Sequence, residues 1–176
     1  MKDVELKLVS ELMKNSRRSD RELAKAIGAS QPTVTRIRNK LEKEGYIKEY
    51  TMIPDFRKLG YELLALTLVR LRKDLGEVEI EKARKTARES MKKVGLGFLM
   101  LERGIGLEYD GAFLTLHESY SSYVELVNWL KQFSFLEVSA VESFLINLAD
   151  EVRLLPLTFS VVAQHVLTLK EKKPTT

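Results

Sequence analysis

Cysteine is absent from this chain, which excludes disulfides and every thiolate-held metal. Histidine is scarce: His117 and His165 are the two present, too little material for a zinc centre. No apolar run approaches the ~18 residues that a membrane span needs, so no membrane partner is expected. Internal repeats and low-complexity blocks are also missing. The opening Met1-Lys2-Asp3-Val4-Glu5 is charged and starts an amphipathic segment, unlike a secretory signal. These absences lead to the expectation of a cytoplasmic protein with no metal and no cofactor.

What is present is a globular composition. Of the 176 residues, 44% are hydrophobic and 31% charged, enough for one ordinary domain or two small ones. The net charge of +4 is unevenly spread. Residues 1–60 carry 14 lysines and arginines against 9 aspartates and glutamates, an excess of +5, while the rest of the chain stands at −1. That asymmetry points to one module facing a polyanion and a second with another task.

The segment after Met1 has Val4, Leu8 and Leu12 at helical spacing. A second helix is expected after Ser19, where Ser19-x-x-Glu22 makes a capping box. It carries Leu23, Ala24 and Ile27 and closes at Gly28. A third opens at the N-cap Ser30, with Pro32 in its first turn, and runs through Val34, Ile37 and Leu41 to Gly45. Tyr46–Ile53 alternates as a short strand would. Leu63–Arg72, Gly97–Arg103, Ala112–His117 and Val138–Leu148 read as strands. Helices are expected over Glu77–Val94 and from about Ser121, the latter capped by Ser122-x-x-Glu125. The alternation of Leu157, Phe159, Val161, Ala163, Leu167 and Leu169 predicts a final strand, followed by a charged, disordered end from Lys170.

The expected fold class is therefore α+β: a winged helix-turn-helix domain (1–53), a linker (54–61), a ferredoxin-like βαββαβ domain (62–157) and a C-terminal extension (158–176). The spacing Leu23-Ala24-x-x-Ile27-Gly28-x5-Val34-x-x-Ile37 carries the helix-turn-helix. Ala24 is small where two helices cross closely, Gly28 supplies a left-handed turn, and Val34 and Ile37 plug the recognition helix into the core.

At ~100° per residue the opposite face of that helix presents Pro32, Thr35, Arg36, Asn39 and Lys43, with Thr33 and Lys40 on a flank. No acidic residue occurs from Ser30 to Leu41. Arg36 suits a bidentate contact to guanine and Asn39 one to adenine. Thr35 suits a thymine methyl or a phosphate. Ser30, Gln31 and Thr33 sit where groove-bound helices meet the backbone or first bases. Arg17, Arg18, Lys40 and Lys43 are candidate phosphate contacts.

The stretch from Ser19 to Lys48, continuing through Glu49-Tyr50-Thr51 and Lys58-Leu59-Gly60-Tyr61, resembles the N-terminal domain of the Lrp/AsnC family of feast/famine transcription regulators. The likeness resumes at Gly106-Leu107-Glu108-Tyr109-Asp110 and at Leu154-Leu155-Pro156-Leu157. It implies a sequence-specific regulator without enzymatic activity, which binds double-stranded DNA and pairs as a homodimer or a higher even-numbered assembly. It also implies a small effector, typically an amino acid, at Gly106, Glu108, Tyr109 and Asp110. The chain departs from the family pattern in an extra residue, Leu107, in a longer helix at 77–94, and in about 19 residues past the expected end. Dimerisation has independent support, since Leu63–Leu71 and Gly97–Leu101 carry apolar side chains on both faces while two helices cover only one.

The competing resemblance is to tetrapyrrole-binding decarboxylases of the sirohaem type, built on the same architecture, with His117 and His165 as binding residues. Against it stands the helix face bearing Arg36, Asn39 and Thr35, for which such an enzyme has no need. Gly95-x-Gly97 follows a helix instead of a strand, which argues against a dinucleotide loop. Trp129 and the methionines Met91 and Met100 read as packing residues.

Overall fold

A computed structural model describes residues 1–93, 97–152 and 154–169. Val94, Gly95, the side chain of Met91 and the charged end from Lys170 lie outside the described residues. Contacts divide the chain into two units, one formed by Met1–Pro54 with the tail from Arg153 onward, the other by Asp55–Val152.

In the first unit three helices follow one another: α1 (Asp3–Lys14), α2 (Asp20–Ile27) and α3 (Gln31–Lys43). Their boundaries follow local chemistry. The Ser19 hydroxyl accepts from the Glu22 amide and the Glu22 carboxylate reaches back to the Ser19 amide, a reciprocal box. Gly28 closes α2 at φ 68°, a conformation that costs glycine nothing. Ser30 caps α3, with Pro32 in its first turn, where a missing N–H leaves no bond unmade. Leu8, Leu12, Leu23, Ala24, Val34, Ile37 and Leu41 form the buried core. Tyr46–Ile53, expected as a strand, forms none. Tyr46 and Ile47 donate their amides to the carbonyl of Leu41 instead, wrapping the end of α3. Tyr50 then turns its hydroxyl to Glu42 at 2.6 Å.

The tail is also a correction. The strand expected over Leu157–Leu169 is a helix, α6 (Ser160–Thr168), and it packs against α1. Ala163 is fully buried there, and the Ser10 hydroxyl donates to its carbonyl at 2.7 Å. A small residue lets the two helices approach, and the chain's apolar alternation gives way to that one tertiary contact.

The second unit is the βαββαβ fold expected: β1 (Leu63–Leu71), α4 (Glu77–Lys93), β2 (Gly97–Gly106), β3 (Tyr109–His117), α5 (Tyr120–Leu130) and β4 (Leu136–Asn147). The sheet runs β2-β3-β1-β4, all neighbours antiparallel. The N-cap of α5 is Ser119, paired reciprocally with Ser122, so Ser122 lies inside the helix and the expected Ser122–Glu125 box does not form. Leu126 and Leu130 of α5 pack with Val69, Phe113 and Leu136. Trp129 stacks edge-on against Phe98 and Phe133, as packing.

Ser10 and Ala163 are buried together, so removing the hydroxyl deletes a buried hydrogen bond between α1 and α6. Ser10→Ala is expected to cost about 1 kcal/mol, read as a lower denaturant midpoint for the full chain. An unchanged midpoint would mean that α6 does not rest on α1 in solution.

Candidate nucleic-acid interface

Helix α3 divides its residues by direction. Val34, Ile37 and Leu41 are buried, whereas Gln31, Pro32, Thr35, Arg36 and Asn39 line one shallow outward depression. The side chains of Arg36, Asn39 and Lys43 are exposed and have no hydrogen-bond or ion-pair partner among the described residues. Arg17, before α2, is equally open; only its backbone amide is used, by the Asn15 side chain at 3.0 Å.

Other expected contact residues are already engaged. Ser30 and Thr33 hydroxyls meet at 2.8 Å within the cap of α3. Arg18 pairs with Glu11 of α1. Lys40 reaches back to the buried Glu5 carboxylate at 2.7 Å. That bond holds the Glu5 carboxyl below the usual carboxylate range and raises the lysine. An ion pair with one partner this buried is costly to break, so Lys40 ties α3 to α1. Thr35 gives its hydroxyl to Asp20 of α2 at 2.5 Å.

Asp20 was not a sequence candidate, nor was Arg38, yet the two lock the motif. Arg38 binds the other oxygen of Asp20 at 2.5 Å and the carbonyl of Arg18 at 3.4 Å. Its guanidinium lies 5.7 Å from the centre of the Tyr50 ring, a cation–π contact. Burial and the bond to Glu42 push the Tyr50 phenol up to about 12. The usable signal in the sequence is an opposite-charge pair, one at the start of α2 and one on the flank of α3.

The residues expected to hold an effector sit at the β2–β3 turn. Leu107 (φ 51°) and Glu108 (φ 63°) occupy both central positions, a two-residue type I′ hairpin that ordinarily takes Asn or Gly. The extra Leu107 completes that loop. Glu108 is tied to Arg70, whose Nε donates to the Glu108 carbonyl at 2.5 Å. Arg70 also stacks on Tyr109 at 5.3 Å. A bond to Glu142 raises the Tyr109 phenol. Asp110 accepts from the Leu71 amide at 2.8 Å, filling the irregularity in β1. Gly106 pairs with Tyr109 across the turn.

His117 is buried, 1% exposed, with Nε2 2.8 Å from the Thr115 hydroxyl and its ring edge-on to Tyr123. Burial lowers its pKa. A side chain so enclosed is no open ligand for a tetrapyrrole. His165 is on α6 in the other unit. Among the described residues no helix is long and apolar enough to cross a membrane.

Residues 1–48 match the model of a winged helix-turn-helix DNA-binding family. The chain is 45% identical over 69 residues to an uncharacterised HTH-type transcriptional regulator of Pyrococcus abyssi, covering 39% of this chain and 46% of that one. It is 46% identical over 57 residues to the HTH-type transcriptional regulator LrpC of Bacillus subtilis, covering 32% and 40%. These alignments thus span under half the length of either relative. Over nearly the whole chain the fold is similar to the crystal structure of PH0061 of Pyrococcus horikoshii, with TM-score 0.69, 28% identity and coverage of 89% and 97%. It is also similar to a transcriptional regulator of Neisseria meningitidis solved with L-Met, with TM-score 0.75, 18% identity and coverage of 94% and 99%, a likeness of fold. With its outward α3 and βαββαβ second unit, the chain is similar in fold to these two proteins.

Proposed function

We propose that the chain is a transcription regulator that reads duplex DNA with the outward face of α3. The carrying observation is that Arg36 and Asn39 stand unpartnered on one outward helix face, while their neighbours Thr35 and Lys40 are tied to Asp20 and Glu5. Arg36 matches the O6/N7 edge of guanine and Asn39 the N6/N7 edge of adenine. Arg17 and Lys43 have the reach and charge for phosphates. Arg18 and Lys40, engaged with Glu11 and Glu5, shape the motif instead.

Two copies are proposed to meet through the sheet. On the face opposite Val69 and Phe113, which pack against α5, cross-strand pairing aligns Phe144, Leu66, Leu114 and Met100 in one row, and Ile146, Leu64 and Leu116 in the next. Phe144 is 68% exposed and Leu66 36%. An apolar sheet face of this kind calls for a partner, and a two-fold copy supplies a matching one while pairing two recognition helices for a palindromic site.

An amino-acid effector is proposed at the β2–β3 hairpin. The support is the Neisseria protein's complex with L-Met on the same fold, together with Arg70, whose guanidinium now holds Glu108 and Glu137. An effector carboxylate would displace Glu108 from it.

Arg36→Ala is expected to weaken binding to selected DNA by ~1–3 kcal/mol and to relax preference at one base pair. Arg17→Ala should leave the preference intact and flatten the dependence of log K on log salt by ~0.9. Equal loss on all sequences for the first variant, or an unaltered slope for the second, would reverse these roles. Leu66→Asp should convert a dimer to monomer in light scattering, and a wild-type chain already monomeric at micromolar concentration would refute the sheet interface. L-methionine should raise the melting temperature of the wild type and not of Arg70→Ala; no response to any common amino acid removes the effector.

A further inference from the structure

We infer that Thr35 meets DNA through its γ-methyl group and that the base it selects is thymine. This rests on the DNA-binding role proposed for α3 and deepens it, since a threonine in this position has two chemically opposite ways to touch a duplex.

A hydroxyl has one proton to give. The Thr35 oxygen lies 2.5 Å from Asp20 Oδ2 and 3.2 Å from the carbonyl oxygen of Gln31. Both neighbours only accept, so the proton is spent within the motif. Phosphate oxygens also only accept, and an aspartate beside the hydroxyl repels them. A phosphate contact is thereby closed to Thr35.

Asp20 is itself held, since its second oxygen binds Arg38 at 2.5 Å. The rotamer of Thr35 is consequently fixed from two sides, back along its own helix and across to α2. The branch left without a polar partner is the methyl, and Thr35 lines the outward depression together with Pro32, Arg36 and Asn39. Pro32, one turn earlier, adds a second apolar surface. In the major groove thymine alone among the four bases carries a methyl group. The face thus combines an apolar reader at Thr35 with hydrogen-bonding readers at Arg36 and Asn39.

The test uses a duplex selected from a random pool, in which each thymine is replaced singly by deoxyuridine, a change that removes only the methyl. The wild-type chain should lose about fourfold in affinity at one thymine, the value of one buried methyl group. Thr35→Val, which keeps a methyl and drops the bond to Asp20, should show the same loss. Thr35→Ser, which keeps the hydroxyl and drops the methyl, should bind the thymine and uracil duplexes equally. Each comparison is a ratio within one protein, so a change in overall affinity does not blur it. Indifference of the wild type to uracil at every position, or discrimination retained in Thr35→Ser, overturns the inference while leaving DNA binding intact. Failure to bind any duplex at low salt is a different result and removes the DNA-binding role as well.

Discussion

Three aliphatic side chains decide what the first unit can do. Val34, Ile37 and Leu41 are buried against Leu8, Leu12, Leu23 and Ala24, and burying each is worth about 1.5–3 kcal/mol. A helix pinned along one side at that strength cannot roll, so the residues about 180° away are held towards solvent. The apolar pins fix the rotation of α3, and the left-handed Gly28 fixes its crossing with α2. Without both, a basic helix would be only a basic helix.

Polar ties then sort the cations. The positive excess of the first 60 residues looks uniform in the sequence, but its members have different employment. Arg18, Arg38 and Lys40 are matched by Glu11, Asp20 and Glu5, three acids drawn from α1 and α2. Arg17, Arg36 and Lys43 have no such match among the described residues. Electrostatic attraction to a polyanion is long-ranged and counts every charge, whereas groove contacts need side chains free to move. The first unit therefore keeps its overall charge while leaving Arg17, Arg36 and Lys43 free among the described residues. Asp20 shows the economy of the arrangement, because one carboxylate orients Thr35 and anchors Arg38 at once.

Much of this was legible before any coordinates. The caps at Ser19 and Ser30, Gly28 and the apolar period of α3 are local signals, and each stands where it was expected. The order of strands and helices in the second unit was legible for the same reason. Tertiary context overrode the rest. From Leu157 to Leu169 the apolar positions suit a strand or a helix, and only the seat of Ala163 on Ser10 decides between them. Tyr46–Ile53 has the alternation of a strand but no neighbouring strand to pair with among the described residues. Which cations are free could not be read at all, since Lys40 and Glu5 are 35 positions apart in the chain and meet through the packing of α1 on α3.

The β2–β3 hairpin shows a local rule broken and compensated. Leucine and glutamate in two successive left-handed positions cost about 1–2 kcal/mol each relative to glycine. Turn chemistry does not supply the compensation; Arg70 does, by binding both the carbonyl and the carboxylate of Glu108. Asp110 contributes by closing the gap at Leu71. A turn held by a side chain instead of by its own residues can be released by whatever competes for that side chain. Strain stored at Leu107 and Glu108 would be partly relieved on release, which reduces the free energy that a carboxylate ligand must provide to take Arg70. The same geometry explains how an added residue can sit at the expected effector turn without breaking the sheet, since Gly106 and Tyr109 remain paired on either side of it.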